Sequence, residues 1–231
     1  MRWGTGLPAS YSDGVEQGLL LDVGVVLLKS AWELADDFER AAGLPARTIP
    51  GRGPFDDGGD PLWERHLAGE LTEREYWLGN ADEAVRNGAP LNGHPHLMRA
   101  IFQHPGLEVA RRSAVDLLRG AREAGVRTAI FSNELMDFQG REWVEAQEWF
   151  GLFDVVFDAT ERGIRKPDPE SYARVVAEVG LPAGQLVFVD DNPRYVHGGV
   201  EAGMRSVLLD VLDPDRAFEE AAALLGLPPN A

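Results

Sequence analysis

Six polar side chains follow apolar stretches of this sequence or stand beside prolines just before a predicted helix. They are Asp22, Ser132, Asn133, Lys166, Asp190 and Asp191. Each one alone has a structural explanation, because an acid or amide after a strand commonly caps the next turn, and a lysine in a loop is commonly solvated. Together they combine hard oxygen ligands, a hydroxyl and a fixed cation, which is a set of groups suited to phosphoryl chemistry.

The expected chemistry assigns a role to each group. The carboxylates of Asp22 and Asp191 suit Mg²⁺, which usually takes one or two carboxylates, waters and substrate phosphate. Ser132 and Lys166 can donate to phosphate oxygens and offset their charge. Asp22 can then attack phosphorus and form an aspartyl-phosphate, with Lys166 as the second catalytic residue.

The elements that must position these side chains alternate between strands and helices. We predict strands that end at Leu21 and span 126–131, 155–157, 186–189 and 206–209, and helices over 107–124, 141–150, 168–179 and 193–202. Continuous apolar strands separated by helices predict a parallel sheet with right-handed crossovers, an α/β fold of Rossmann-like type. Because ligands bind at the carboxyl edge of such sheets, the six side chains are expected to meet there.

Residues 30–105 lack any strand-like alternation, and we expect them to be all-helical. Helices are predicted over 31–42, 61–67, 72–78 and 95–103, with a Gly-, Pro- and Asp-rich loop over 48–61. Thr72 and Glu75 form a capping-box pattern. The predicted organisation is therefore a core of residues 18–29 and 106–231, interrupted by a helical cap over 30–105 and preceded by a flexible tail over 1–17.

Composition excludes several classes of protein. The chain has 231 residues, 38 acidic against 22 basic side chains and a formal net charge of −16, which argues against nucleic-acid or anionic-membrane binding. It has no cysteine, so disulfides and thiolate metal sites are excluded. Residues 1–18 lack the apolar stretch of a secretory signal, and no apolar run approaches the ~20 residues of a membrane span. We expect a cytoplasmic protein, a monomer or homodimer.

The motifs resemble those of the haloacid dehalogenase superfamily of hydrolases, in order across residues 19–209. Residues 62–73 look like the cap segment of its α-glucose-1-phosphate phosphatase group. The resemblance implies a Mg²⁺-dependent phosphatase acting on a small phosphorylated metabolite, with a sugar phosphate as one candidate. In the implied site Asp191 is a direct metal ligand, Asp190 acts through water or from behind, and Asn133 orients substrate or loop. Cap residues 52–78 are expected to shape specificity.

Gly24 stands where most phosphatases of that superfamily have a second aspartate, which protonates the leaving oxygen and later activates water. Glycine can do neither, although its carbonyl could still ligate Mg²⁺. Losing general acid–base help typically costs about 10²–10⁴ in rate, so a good leaving group would suffer least. Glu134 and His66 are two candidates to replace the acid, although a solvated Glu and a cap-surface His are the more common situations.

Three other functions stay open. A haloacid dehalogenase attacks carbon without a metal, and paired acids at 190–191 speak against it. A sugar-phosphate mutase of this fold relies on the acid missing at position 24. A non-catalytic member of the fold would bind a ligand or partner, and exposure of Trp63, Tyr76 and Trp77 would favour a partner surface, whereas burial would place them in the cap core.

Overall fold

Five strands form one parallel sheet in the computed structural model, which describes residues 16–56, 59–91 and 94–228. The strands are β1 (Gly18–Leu21), β2 (Arg127–Ser132), β3 (Val155–Asp158), β4 (Leu186–Asp190) and β5 (Arg205–Leu208). Their order across the sheet is β3-β2-β1-β4-β5, and every pairing is parallel. The strand order reverses beside β1, and ligands of open α/β sheets bind at such a point. The predicted Rossmann-like α/β fold is confirmed.

Both faces of the sheet are covered, as the continuous apolar strands predict. Along β1, Leu19 and Leu21 pack into one buried cluster. Leu20 points to the other face, where it joins a second cluster that includes Phe131 and Phe188. This alternation follows from the two-residue period of a strand. Asp22 directly follows β1, so its carboxylate emerges from the buried core at the carboxyl edge of the sheet.

The helices of the chain fall into two groups. Among the described residues, four lie in the segment 30–105: α1 (Ala31–Ala41), α2 (Pro61–Leu67), α3 (Glu73–Arg86) and α4 (His94–Phe102). Seven follow: α5 (Arg112–Glu123), α6 (Leu135–Gln139), α7 (Arg141–Glu145), α8 (Ala159–Arg162), α9 (Pro169–Val179), α10 (Pro193–Glu201) and α11 (Pro214–Leu225). We call the segment 30–105 the cap segment. Its described residues contain no strand.

The capping box predicted at the start of α3 is present. The Thr72 hydroxyl accepts from the Glu75 amide, and the Glu75 carboxylate accepts from the Thr72 amide. An equivalent box of Ser30 and Glu33 begins α1, directly after the chain leaves the core. Local sequence therefore determines where both helices begin.

Three predicted helices have clearly different bounds. The helix expected over 72–78 is twice as long, since α3 continues to Arg86. The helix expected over 107–124 starts only at Arg112, because the preceding residues pair with the chain that enters the cap segment: Ala110 forms an antiparallel bridge with Leu28. The helix expected over 141–150 breaks after Glu145, because Gln147 has an extended backbone (φ −78°, ψ 134°). Helices α6, α8 and α11 were not predicted.

Most of the predicted tail, residues 1–17, lies outside the described residues. Gln17 is described, and it belongs to the core rather than to a tail, since its carbonyl accepts from the Arg127 amide at 2.9 Å. None of the helices described has the length and apolar character needed to cross a membrane.

Candidate active site

Lys166 is the electrostatic centre of the site. Its Nζ donates to Asp22 Oδ1 at 2.8 Å and to Asp190 Oδ2 at 2.5 Å, and its side chain is fully buried. Burial works against its charge, but Asp22 and Asp190 outweigh it, so the pKa of Lys166 is raised. The rings of Phe131 and Tyr195, 5.2 and 5.1 Å from Nζ, surround the remaining side of the ammonium group. Lys166 is therefore a fixed positive charge directly behind Asp22.

Asn133 holds Lys166 in this position. The Asn133 amide nitrogen donates to the Lys166 carbonyl at 3.0 Å, and its amide oxygen accepts from the Lys166 backbone N–H at 2.8 Å. The Lys166–Pro167 peptide bond is cis. Asn133 was expected to orient substrate or loop, and these two bonds place its amide on the loop.

The two adjacent acids after β4 have different environments. Asp190 is fully buried, and its second oxygen accepts from the Asn192 backbone N–H at 2.9 Å, so both of its oxygens have partners behind the site. Asp191 lies in the wall of the cavity described below. Burial, together with the charges of Asp22 and Asp190, raises the pKa of Asp191 well above its usual range.

A cavity of about 330 Å³ opens in front of Asp22. Strand ends and the loops after them supply one wall, which includes Gly24, Ser132 and Asn133; Ser132 is 5% exposed. Helices supply an apolar wall, whose residues are Ala31, Trp32, Trp77, Met98, Phe102, Leu135 and Phe138. This volume is at the lower end of the range for small-molecule cavities, so a compact ligand fits it.

The loop after Asp22 is held by Arg111. Val25 has a positive φ of 59°, which is unfavourable for a β-branched residue, and its carbonyl accepts from Arg111 Nη2 at 2.8 Å. The same guanidinium binds both carboxylate oxygens of Glu33, at 2.8 and 2.9 Å. Gly24 itself has φ −63° and ψ 136°, a conformation open to any residue.

Aromatic side chains fill the interior of the cap segment behind the apolar wall. Trp32 Nε1 donates to the Tyr76 hydroxyl at 2.9 Å, which donates to Asp60 at 2.7 Å. Tyr76 and Trp77 are buried, and the half-buried Trp63 packs against Trp32 with ring centroids 5.1 Å apart. These aromatics pack in the core of the cap segment and do not form an exposed surface for a partner protein.

Of the two candidates to replace the missing acid, neither is a free acid in the cavity. His66 is not among the residues that line the cavity, and its Nδ1 lies 3.0 Å from the Leu71 carbonyl oxygen. Glu134 does line the cavity, but its carboxylate pairs with Arg165 at 3.1 Å.

Sequence reasoning missed Glu73 as a residue of the site. It is the first residue of α3, and its side chain lines the cavity that contains Asp22 and Asp191. Glu73 is exposed to solvent, but partial desolvation beside the cavity and the charges of Glu134 and Asp22 raise its pKa. A capping box predicts where a helix begins but not the direction in which its first side chain points. No sequence signal therefore identified Glu73 as a residue of the cavity.

A metal site was expected at Asp22, Gly24, Asp190 and Asp191. Asp22, Gly24 and Asp191 line one cavity, whereas Asp190 lies behind it with Lys166. In the part of the chain that the structure describes, no group of three or more His, Cys, Asp or Glu side chains is arranged to hold a metal ion. The donors that line the cavity are fewer than the expected four: the carboxylates of Asp22 and Asp191 and the backbone of Gly24.

The chain is similar to several known proteins. It is 29% identical over 204 residues to the phosphatase MT3486 of Mycobacterium tuberculosis, which covers 83% of this chain and 86% of the relative. It is 30% identical over 162 residues to the phosphoserine phosphatase of Thermus thermophilus, covering 65% and 63%. A match to mouse acyl-CoA dehydrogenase family member 10, 25% identical, covers 99% of this chain but only 20% of that protein's length.

Two solved structures share the fold. The HAD-hydrolase YfnB of Bacillus subtilis, bound to magnesium, is 18% identical with a TM-score of 0.63 over 92% of this chain and 99% of its own. The L-2-haloacid dehalogenase of Xanthobacter autotrophicus is 20% identical with a TM-score of 0.50, over 84% and 78%. The haloacid dehalogenase-like hydrolase family model matches residues 23–203, most of the chain. With Asp22, Lys166 and Asp190 joined at the carboxyl edge of its sheet, this chain belongs to the haloacid dehalogenase-like hydrolases.

Proposed function

We propose that this hydrolase is a Mg²⁺-dependent phosphatase that hydrolyses a small phosphorylated metabolite through an aspartyl-phosphate on Asp22. The observation that carries the proposal is the chain of contacts from Asp22 through Lys166 to Asp190, in front of which the cavity opens. A buried ammonium group holds one Asp22 oxygen, so the carboxylate faces the cavity in a fixed orientation. The similarity to two proteins named as phosphatases supports this reaction class.

In this reaction Asp22 is the nucleophile that attacks phosphorus. The Ser132 hydroxyl, in the same cavity wall, donates to a phosphate oxygen. Lys166 keeps Asp22 ionised and opposes the negative charge that collects on the phosphoryl group. Asn133 fixes the Lys166 loop, and its contribution to substrate binding is through that loop.

The residues present fit a divalent cation. Asp191 has a raised pKa because burial and two neighbouring carboxylates oppose its charge, and a cation would remove that cost. Asp22, Asp191 and the Gly24 carbonyl would hold the ion, with Asp190 behind them. Mg²⁺ would neutralise phosphate charge and orient the phosphoryl group.

Within this class we propose a sugar phosphate as substrate. Trp32 and Trp77 in the apolar wall can pack against a sugar ring, while Glu134 and Gln139 can bond to its hydroxyls. The similarity of the segment 62–73 to the α-glucose-1-phosphate phosphatase group supports the same choice. The anomeric oxygen of a sugar 1-phosphate is also a better leaving group than an ordinary sugar hydroxyl, which suits a site with glycine at position 24.

The proposal is tested by a screen of phosphate esters with and without Mg²⁺, on the wild type and on Asp22→Asn. We expect phosphate release that needs the metal and falls at least about 10³-fold in Asp22→Asn, since the covalent step is lost. Asp215→Asn removes an exposed acid of α11 and should leave the rate unchanged.

Two other outcomes would replace the proposal. Chloride release from a haloacid without metal would make the chain a dehalogenase, the activity named for one of its structural neighbours. Tight binding of a phosphate ester with no turnover in any condition would make it a binding protein of this fold.

A further inference from the structure

A positioned acid would accelerate the proposed phosphatase reaction, and the loop after Asp22 does not supply one. Breaking the ester bond leaves negative charge on the departing oxygen, and a positioned acid lowers that barrier. Gly24 has no side chain. Lys166 does not line the cavity, because its Nζ lies behind Asp22 with carboxylate partners at 2.8 and 2.5 Å. An acid that serves the leaving oxygen therefore has to come from another part of the cavity wall.

Few titratable groups of the wall are free for this role. Asp22 is the nucleophile, Asp191 belongs to the metal donor set, and Glu134 is paired with Arg165. Tyr195 lies over Lys166, and burial raises the pKa of its phenol, which makes it a weaker acid. Among the described residues that line the cavity, Glu73 is the carboxyl group with neither an ion pair nor an assigned role.

Glu73 also comes from a suitable direction. Asp22 and Ser132 come from strand ends of the core, whereas Glu73 comes from α3 of the cap segment. In phosphoryl transfer the attacking and leaving oxygens lie roughly in line on opposite sides of phosphorus. An acid for the leaving oxygen is therefore expected on a different wall from the nucleophile.

The surroundings of Glu73 shift its pKa upward. Glu73 is exposed to solvent, but desolvation at the cavity wall and the negative charges of Glu134 and Asp22 raise its pKa, while His66 and a hydrogen bond with Trp77 act in the opposite sense. A carboxyl group with a raised pKa holds a proton closer to neutral pH, as a general acid must.

We infer that Glu73, supplied by the cap segment, is the general acid and base of this phosphatase, in place of the side chain missing at Gly24. In the first step an Asp22 oxygen bonds to phosphorus while the bond between phosphorus and the leaving oxygen breaks. The electron pair of that bond stays on the leaving oxygen, which takes the proton of Glu73. In the second step the Glu73 carboxylate takes a proton from water. The water oxygen bonds to phosphorus while the bond between phosphorus and the Asp22 oxygen breaks, and the electron pair of that bond returns to the Asp22 carboxylate.

The test compares aryl phosphates whose leaving groups differ in acidity, phenyl phosphate and 4-nitrophenyl phosphate, on the wild type and on Glu73→Gln. We expect single-turnover transfer from phenyl phosphate to fall about 10²–10⁴-fold, and transfer from 4-nitrophenyl phosphate, which needs little protonation, to fall less than about tenfold. In the wild type the phenyl phosphate rate should decrease as pH rises through the Glu73 pKa. That dependence should vanish in Glu73→Gln.

A second variant tests for rescue. A Cβ at Gly24 would meet only Asp22 Oδ2, at 3.7 Å, and the backbone there suits any residue, so Gly24→Asp introduces an acid without strain. In the Glu73→Gln background, Gly24→Asp should restore at least tenfold of the lost phenyl phosphate rate. Glu83→Gln removes an exposed carboxylate of the same helix and serves as the control, with no change expected in either rate.

The outcomes separate this inference from the proposed function. Equal losses on both esters, or no loss, would overturn the role of Glu73 while phosphate release that depends on Asp22 keeps the phosphatase. If the wild type releases no phosphate, or if Asp22→Asn releases it at the wild-type rate, the proposed function fails and the role of Glu73 fails with it.

Discussion

At the scale of single residues, the unusual feature is a lysine ammonium group buried among carboxylates and aromatic rings. Lys166 is 1% exposed and Asp190 is 0% exposed, and neither could remain charged there alone. Their contact at 2.5 Å offsets the free-energy cost of burying each charge. The second contact of Lys166, with Asp22, links this buried pair to the carboxylate in the cavity wall. The ion pair therefore serves both the fold and the nucleophile.

Removing Lys166 should separate these two contributions. We expect Lys166→Met to destabilise the protein by about 3 kcal/mol, because it leaves Asp190 buried without a cation. Adding Asp190→Asn should recover part of this loss, while the activity stays lost in both variants. Urea unfolding and phosphate release measure the two quantities, and Lys29→Met, at the other lysine of the sequence, is the control. A double variant no more stable than Lys166→Met would contradict the pairing argument.

At the scale of elements, one arginine joins the two chain crossings between the core and the cap segment. Arg111 stands at the return crossing, just before α5, and binds Glu33 at the start of α1 and the Val25 carbonyl in the loop after Asp22. Burial opposes the charge of Glu33, but its bonds with Arg111 and Ser30 lower its pKa overall. This pair keeps Val25 in its strained conformation and so positions the loop that carries Gly24.

Arg111→Gln should therefore cost both stability and activity. We expect a loss of about 3 kcal/mol, because the half-buried Glu33 carboxylate loses a two-point partner. Its neighbour Arg112 is 89% exposed at the side chain, so Arg112→Gln should change stability by no more than about 0.5 kcal/mol. Denaturant midpoints measure the difference, and equal effects of the two substitutions would show that the Arg111–Glu33 pair contributes nothing to stability.

At the scale of the whole molecule, a formal net charge of −16 surrounds a site that itself gathers acids. Asp191 has its pKa raised by burial and by Asp22 and Asp190. A carboxyl whose pKa is higher in the folded state binds more protons there than in the unfolded chain. The free energy of unfolding therefore falls as pH rises from the unfolded value, about 3.9, through the raised folded value.

A divalent cation should reverse this loss. At pH 8 we expect Mg²⁺ at 100 times its dissociation constant to stabilise the wild type by about 2.7 kcal/mol, and to have little effect on Asp191→Asn. Without metal, Asp191→Asn should lose less stability between pH 5 and pH 8 than the wild type does. Thermal unfolding at both pH values measures this, with Asp215→Asn as a control for simple loss of charge. The same Mg²⁺ effect in Asp191→Asn and the wild type would rule out Asp191 as a ligand.

Much of this architecture was predictable because its signals are local. Apolar runs predicted the five strands within about one residue, and the described residues of the cap segment form helices and loops but no strand, because strand and helix periodicities are properties of neighbouring residues. The helix predicted from 107 was wrong at its start because Ala110 pairs with Leu28, far away in the sequence. Helix α11 is a plain omission, since its proline start and Gly226 end are local signals.

The sequence by itself determined which chemical groups stand at the strand ends, since a residue after a buried strand emerges at the sheet edge wherever the rest of the chain goes. It thereby identified Asp22, Ser132 and the two acids at 190–191, while the prolines beside Lys166 marked the loop that carries the lysine. Only the tertiary structure decided that Asp190 faces Lys166 while Asp191 faces the cavity, that Glu134 is paired, and that Glu73 enters from the cap segment. These facts depend on how separate elements pack, and packing joins residues as far apart in the chain as Asp22 and Lys166.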